Sequence, residues 1–143
     1  MIKSLSIGEI EYIAHTLAKR WMDWGEPIPD FFTRFPNKLE SCLATPFQTF
    51  GRKELYKGLE KKASILFYLL IKNHPFQNGN KRIAVTSLLI FLDNNGKWLK
   101  VDNVTLYNFA LWVAESSPLV KDQTVEAIEV FLKKYLIAES SPH

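Results

Sequence analysis

Pro75 constrains this fold more than any other residue, because it cuts the most apolar part of the chain in two. Leu55, Leu59, Ala63, Leu66 and Leu70 recur at helical spacing up to about Asn73. Ala84, Leu88, Phe91 and Leu92 do the same from about Lys81 to Asn94. The residue before a proline is pushed out of the helical region, so the first run must end at His74. Two apolar helices with residues 74–80 between them are the expected centre of the molecule. Asn95-Gly96 then stops the second helix with a left-handed cap.

Around that centre the pattern is again helical. Ser6-Ile7-Gly8-Glu9 forms a capping box, with Leu5 and Ile10 spaced as a hydrophobic staple. Ile7, Ile10, Ala14, Leu17 and Trp21 carry that helix to about Trp24, and Gly25, Pro27 and Pro29 end it. Residues 30–44 hold one or two short helices with Leu39 and Leu43 turned inward. Leu106, Phe109, Ala110 and Val113 mark a helix entered from Asp102 or Asn103, and Val125, Ile128, Leu132 and Tyr135 mark the last. The four tryptophans read as core residues, with Trp98 the one that suits a partner groove instead. Only Thr45-Pro46-Phe47-Gln48-Thr49-Phe50-Gly51 breaks the rhythm. Its β-branched and aromatic residues and its closing glycine suit a short hairpin or an extended loop. The expected class is all-α, in one domain over residues 1–143, without repeat or linker.

The chain has 143 residues, enough to bury roughly 70% of the unfolded surface without a disulfide or a metal. Its one cysteine, Cys42, cannot form an internal disulfide. No apolar run approaches the roughly 18 residues of a membrane span. The first fifteen residues lack the apolar core of a secretion signal. The expectation is a cytoplasmic protein.

Charge is unevenly spread. Residues 1–50 carry a net −1, residues 51–100 a net +7 and residues 101–143 a net −3. The middle third therefore suits an anionic ligand such as nucleotide phosphates. Lys53, Lys57, Lys61 and Lys62 also fit a solvated lysine-rich face, and the two readings stay open at this point.

The loop 74–82 concentrates unusual chemistry. Gly79 can take positive φ and so turn backbone N–H groups toward one point. The next helix adds free N–H groups and a partial positive charge. Lys81 and Arg82 lie in its first turn, where cations are unfavourable by roughly 0.3–1 kcal/mol each unless an anion is present. A histidine side chain can accept a proton from a hydroxyl, which makes His74 the candidate base. His15 and His143 lack such a setting. Phe76 suits a buried anchor for the loop.

His74-Pro75-Phe76-Gln77-Asn78-Gly79-Asn80-Lys81-Arg82 resembles the signature of the Fic/Doc (Fido) superfamily. Lysine after the second asparagine, and Asn78 at the acidic position, resemble the Doc-like (death-on-curing) branch. The last arginine of the Fic form would fall at Val85 and is absent, as in Doc-like members. The likeness extends over about residues 38–96, through Leu39-Glu40-Ser41 and Pro46–Gly51. It implies a helical bundle with a small hairpin flap, about residues 45–52, before the motif helix pair.

The resemblance also implies roles. His74 would be the general base, and Gly79, Asn80, Lys81 and Arg82 would hold nucleotide phosphates, with Arg82 as the clamp. Asn78 would take the Mg²⁺-ligand position, more weakly than a carboxylate because an amide carries no charge. Thr45, Pro46, Phe47, Gln48, Thr49, Phe50 and Gly51 would hold the target as an added strand. The co-substrate would be ATP or another nucleoside triphosphate, with Mg²⁺ at its phosphates. Transfer of the γ-phosphoryl group to a Ser, Thr or Tyr hydroxyl of a protein is the implied reaction, with a translation factor as the target that the Doc-like resemblance suggests. AMP transfer, or a catalytically impaired nucleotide- or partner-binding domain, are the alternatives. No glutamate lies in the inhibitory pattern [S/T]-x-x-x-E-[G/N], so a separate antitoxin chain is the expected restraint. Nucleic acid ranks last as a partner, because the motif already accounts for Lys81 and Arg82.

Overall fold

The computed structural model describes residues 1–21 and 27–139. Helices α4 (Leu59–Lys72) and α5 (Asn80–Asn94) form its centre. Every residue from Lys62 to Ile71 is buried, as is every residue from Arg82 to Leu89, so both helices are covered on all sides. Helices buried all round over such stretches must lie inside the bundle. Their short connection makes them antiparallel neighbours.

The other helices form the cover. The N-terminal helix runs through α1 (Ile7–Tyr12), a π-helical stretch Ile13–Leu17 and α2 (Ala18–Trp21), and packs on α5. Ser6 caps it with the expected reciprocal box, and Leu5 and Ile10 are both buried. The sequence placed its end near Trp24; residues 22–26 lie outside the described residues. Helix α3 (Pro36–Ala44), with Leu39 buried and Leu43 partly so, packs on α4. A single 3₁₀ turn, Phe31–Thr33, precedes it. Helices α6 (Asn103–Glu115) and α7 (Lys121–Tyr135) close the far side of α4. Asp102 caps α6 through its carboxylate, which accepts Thr105 N–H at 3.0 Å.

Two small antiparallel sheets complete the fold. In the first, β1 (Thr49–Phe50) pairs with β2 (Lys53–Glu54), Phe50 facing Lys53. This is the expected hairpin, although Thr45–Phe47 ahead of it is a 3₁₀ turn. In the second, β3 (Lys97–Leu99) pairs with β4 (Leu136–Ala138), Trp98 facing Ile137. That sheet was not foreseen: each strand is three residues long, and its partner lies far along the chain. Trp98 is partly buried against the core.

Two expectations need correction. Leu55 is not part of α4; it follows β2, its N–H bonds to Gln48 O at 3.1 Å, and it is 53% exposed. Lys62 is not on a solvated face but 1% exposed. Its Nζ donates to Glu54 Oε1 at 3.0 Å and to Tyr56 O, and lies 5.3 Å from the centre of the Phe47 ring. A buried charge must be paired to persist, and here the pairing fastens the hairpin to α4. Among the described residues no helix is long and apolar enough to cross a membrane.

Candidate active site

Helix α4 stops where Pro75 requires. Asn73 is its C-cap, and His74 follows with φ at 48°. Left-handed backbone at a side-chain-bearing residue costs roughly 1–2 kcal/mol, and a residue before proline normally prefers extended geometry. Surrounding bonds must therefore hold it. Pro75 O accepts Phe35 N–H at 2.8 Å. Asn80 Oδ1 accepts Phe76 N–H at 3.0 Å, and Asn80 Nδ2 donates to Phe76 O at 2.9 Å. Asn80 thus braces the loop from the first turn of α5.

The loop has a buried floor and an exposed rim. Pro75, Phe76, Gly79 and Asn80 are buried, whereas His74, Gln77 and Asn78 are exposed. Phe76 is the buried anchor that the sequence suggested, with its ring 6.0 Å from that of Phe31. Phe31 in turn meets the edge of His15 at 5.9 Å and lies under the Arg34 guanidinium at 4.1 Å. His15, without a setting in the sequence, belongs to this support.

Gly79 caps α5 with φ at 73°. A Cβ there would lie 2.7 Å from Ile28 Cδ1 and 3.1 Å from Pro27 O. Pro27 and Ile28 therefore close one side of the loop, and only glycine fits both the angle and the space. Gly79 N–H donates to Asn78 Oδ1 at 2.8 Å.

Beside the loop opens a cavity of about 240 Å³, lined by His74, Gln77, Asn78, Asn80 and Lys81, with Ile71 and Ala114 as its apolar wall. Pockets enclosing a drug-sized ligand run roughly 300–1,000 Å³, so this one suits a phosphate chain better than a whole nucleotide. A histidine, three amide side chains and a lysine converge at the N-terminus of a long helix. Such groups are chemically suited to an oxyanion and to taking up a proton beside it.

Asn80 Nδ2 lies 3.4 Å from His74 Nδ1. Both Asn80 bonds to Phe76 fix the amide orientation, so an Asn80 N–H is turned toward Nδ1.

Some expected site residues lie elsewhere. Arg82 is buried and does not line this cavity. Its Nη2 donates to Ala18 O at 2.9 Å and to Lys19 O at 3.5 Å. Those carbonyls belong to α2. Residues 45–51 do not line the cavity either; the hairpin enters α4 at one end and the loop leaves it at the other. Ile71 and Ala114 were missed. Ile71 reads as an ordinary core residue, and nothing in the sequence places the end of α6 against the loop. Lys72 does so in space, with Nζ donating to Ala114 O at 3.1 Å and to Ser116 O at 2.5 Å.

Among the described residues no group of three or more His, Cys, Asp or Glu side chains could hold a metal. Asn78 alone offers an oxygen at the expected position, and it already accepts a bond. The donor set fits a metal that arrives with its ligands on a nucleotide's phosphates, and not one resident in the protein.

A helical domain whose central helix pair turns through a histidine- and asparagine-bearing loop defines the class. A family model described as Fic/DOC family matches residues 4–92. The chain belongs to the Fic/DOC family, whose members are commonly transferases. The matched span holds the loop, α4, all but the last two residues of α5, the hairpin and the N-terminal helix. No curated protein and no solved structure matches the chain.

Proposed function

We propose that this protein is a Doc-like transferase that moves the γ-phosphoryl group of a nucleoside triphosphate to a Ser, Thr or Tyr hydroxyl of another protein. The observation that supports this most is the single cavity shared by His74, Asn78, Asn80 and Lys81 at the start of α5. ATP enters as its Mg²⁺ complex, and Asn78 is the side chain that would meet the metal. Lys81 and the first-turn N–H groups of α5 hold the phosphates. The target oxygen forms its bond to the γ-phosphorus, the bond from phosphorus to the bridging oxygen breaks, and a nucleoside diphosphate leaves. The hydroxyl proton passes to the neutral imidazole of His74 and then to solvent. Asn80 is a positioning residue for His74. The buried Arg82 anchors α5 to α2, which leaves Lys81 as the phosphate cation. Lysine where AMP-transferring relatives carry glycine narrows the hole and favours the terminal phosphoryl group.

The test is incubation with a cell lysate, Mg²⁺ and ATP labelled on the γ- or the α-phosphate. The reading expects target labelling from γ only, reduced by about 10²–10⁴-fold in His74→Ala. Label from α only would replace it with AMP transfer. No label from either would leave a catalytically impaired binding domain. Restraint by a separate antitoxin chain belongs to the same proposal: expression alone should slow bacterial growth, and His74→Ala should abolish the effect.

A further inference from the structure

Helices α6 and α7 share a cluster of aromatic rings that the bundle leaves half covered. The Phe109 and Phe131 rings stack at 3.9 Å. Phe109 also lies parallel to the Phe67 ring of α4 at 6.4 Å and stacks on Trp112 at 5.7 Å. Phe67 is buried, Phe109 and Phe131 are half-buried, and Trp112 is 47% exposed. Val130, next to Phe131 on α7, is 68% exposed. Trp112 and Val130 are thus the outer edge of an apolar strip that continues from the core, and such strips mark surfaces that associate.

The charges around Val130 say what covers it. Glu126, Val130 and Lys134 lie four residues apart and form one exposed stripe on α7. Among the described residues neither Glu126 nor Lys134 forms an ion pair; Lys134 Nζ rests only over the Tyr135 ring, 5.3 Å from its centre. The order acid, apolar, base is its own complement when reversed. Both charges stand about 6 Å from Val130 along the helix axis, on opposite sides. A second α7 running antiparallel, with Val130 on the twofold axis, therefore sets Glu126 against the partner's Lys134 and Lys134 against the partner's Glu126. The helix dipole also favours acids early and bases late, but it places no apolar residue between them.

We infer that α7 pairs with α7 of a second copy of this chain, in an isologous dimer centred on Val130. Burial of Val130 at the axis and of Trp112 at its flank supplies the affinity. The exposed ion pairs add little affinity and fix the orientation. None of these residues lines the His74 cavity, so the dimer leaves that loop open and the inference does not rest on the transfer reading.

The test is sedimentation equilibrium of the full chain alone. The wild-type chain should show a reversible monomer–dimer equilibrium with Kd below about 1 mM. Glu126→Lys and Lys134→Glu should each weaken it by at least about tenfold, because each sets like charges together across the axis. Mixed in equal amounts, the two variants should form a heterodimer as tight as the wild-type dimer, since every facing pair is again opposite in sign. The double variant Glu126→Lys/Lys134→Glu should recover in the same way. Val130→Glu brings two carboxylates onto the axis and should be monomeric. Recovery in the mixture separates a lost interface from a lost fold. A wild-type chain monomeric up to about 1 mM, single reversals that leave the dimer as tight as before, or a mixture that fails to recover would each overturn the inference.

Discussion

Gly79 shows how closely the loop is specified at single residues. Its replacement by alanine meets both a left-handed φ and a contact of 2.7 Å to Ile28. Gly79→Ala should lower stability by at least about 2 kcal/mol in urea unfolding; an unchanged midpoint would mean that Pro27-Ile28 does not cover the loop. Cys42 offers a separate check. Burial pushes its thiol up from the ordinary 9.0 to about 11, outweighing bonds that favour the thiolate. The native state therefore binds the proton more tightly than the unfolded chain does. Its contribution is complete below pH 9 and declines as pH rises toward 11. Cys42→Ala should flatten that part of the stability profile, and the native thiol should resist thiol reagents until the protein unfolds. His74, Asn78, Gly79, Asn80 and Lys81 were legible in the sequence because a turn, a cap and a charged helix start crowd into one short stretch. Lys62 was not: only the folded positions of Glu54, Tyr56 and Phe47 reveal that its charge is buried and paired.

The hairpin β1–β2 carries strain in its turn, where Arg52 has φ at 69°. Arg52→Gly removes the left-handed penalty, offset in part by the extra backbone entropy that glycine loses on folding. The hairpin should keep its stability or gain up to about 1 kcal/mol, measured by thermal or urea unfolding. A clear loss of stability would show that the Arg52 side chain makes a contact worth more than the strain. At this scale the helices were legible, because period and punctuation agree: the Ser6 box, Pro75, Asn95-Gly96 and Asp102 all fall at element ends. The sheet β3–β4 was not, since its strands are too short to show alternation and pair only through the tertiary fold.

At the scale of the whole molecule, polar attachments, one buried and one half-buried among them, help hold the covering helices to the central pair. Arg82 fixes α2 to α5, and Lys72 fixes the end of α6 beside the loop. Arg82→Met should destabilise the protein by about 1–3 kcal/mol and speed amide exchange in Ala18–Trp21 before the core opens. Equal exchange in both proteins would show that packing alone holds α2. Neither attachment could be read from sequence, because Arg82 and Ala18 are 64 positions apart and Lys72 and Ala114 are 42 apart. The account as a whole stands on the loop 74–82 being where nucleotide phosphates bind. The most direct measurement is a titration of the isotope-labelled full chain with Mg²⁺ and ATP, followed by backbone amide resonances. The account predicts the largest shifts at Gly79, Asn80 and Lys81, with smaller ones at His74 and Ala114, and their loss in Lys81→Ala. Saturable shifts confined to other residues, or none at all, would contradict it.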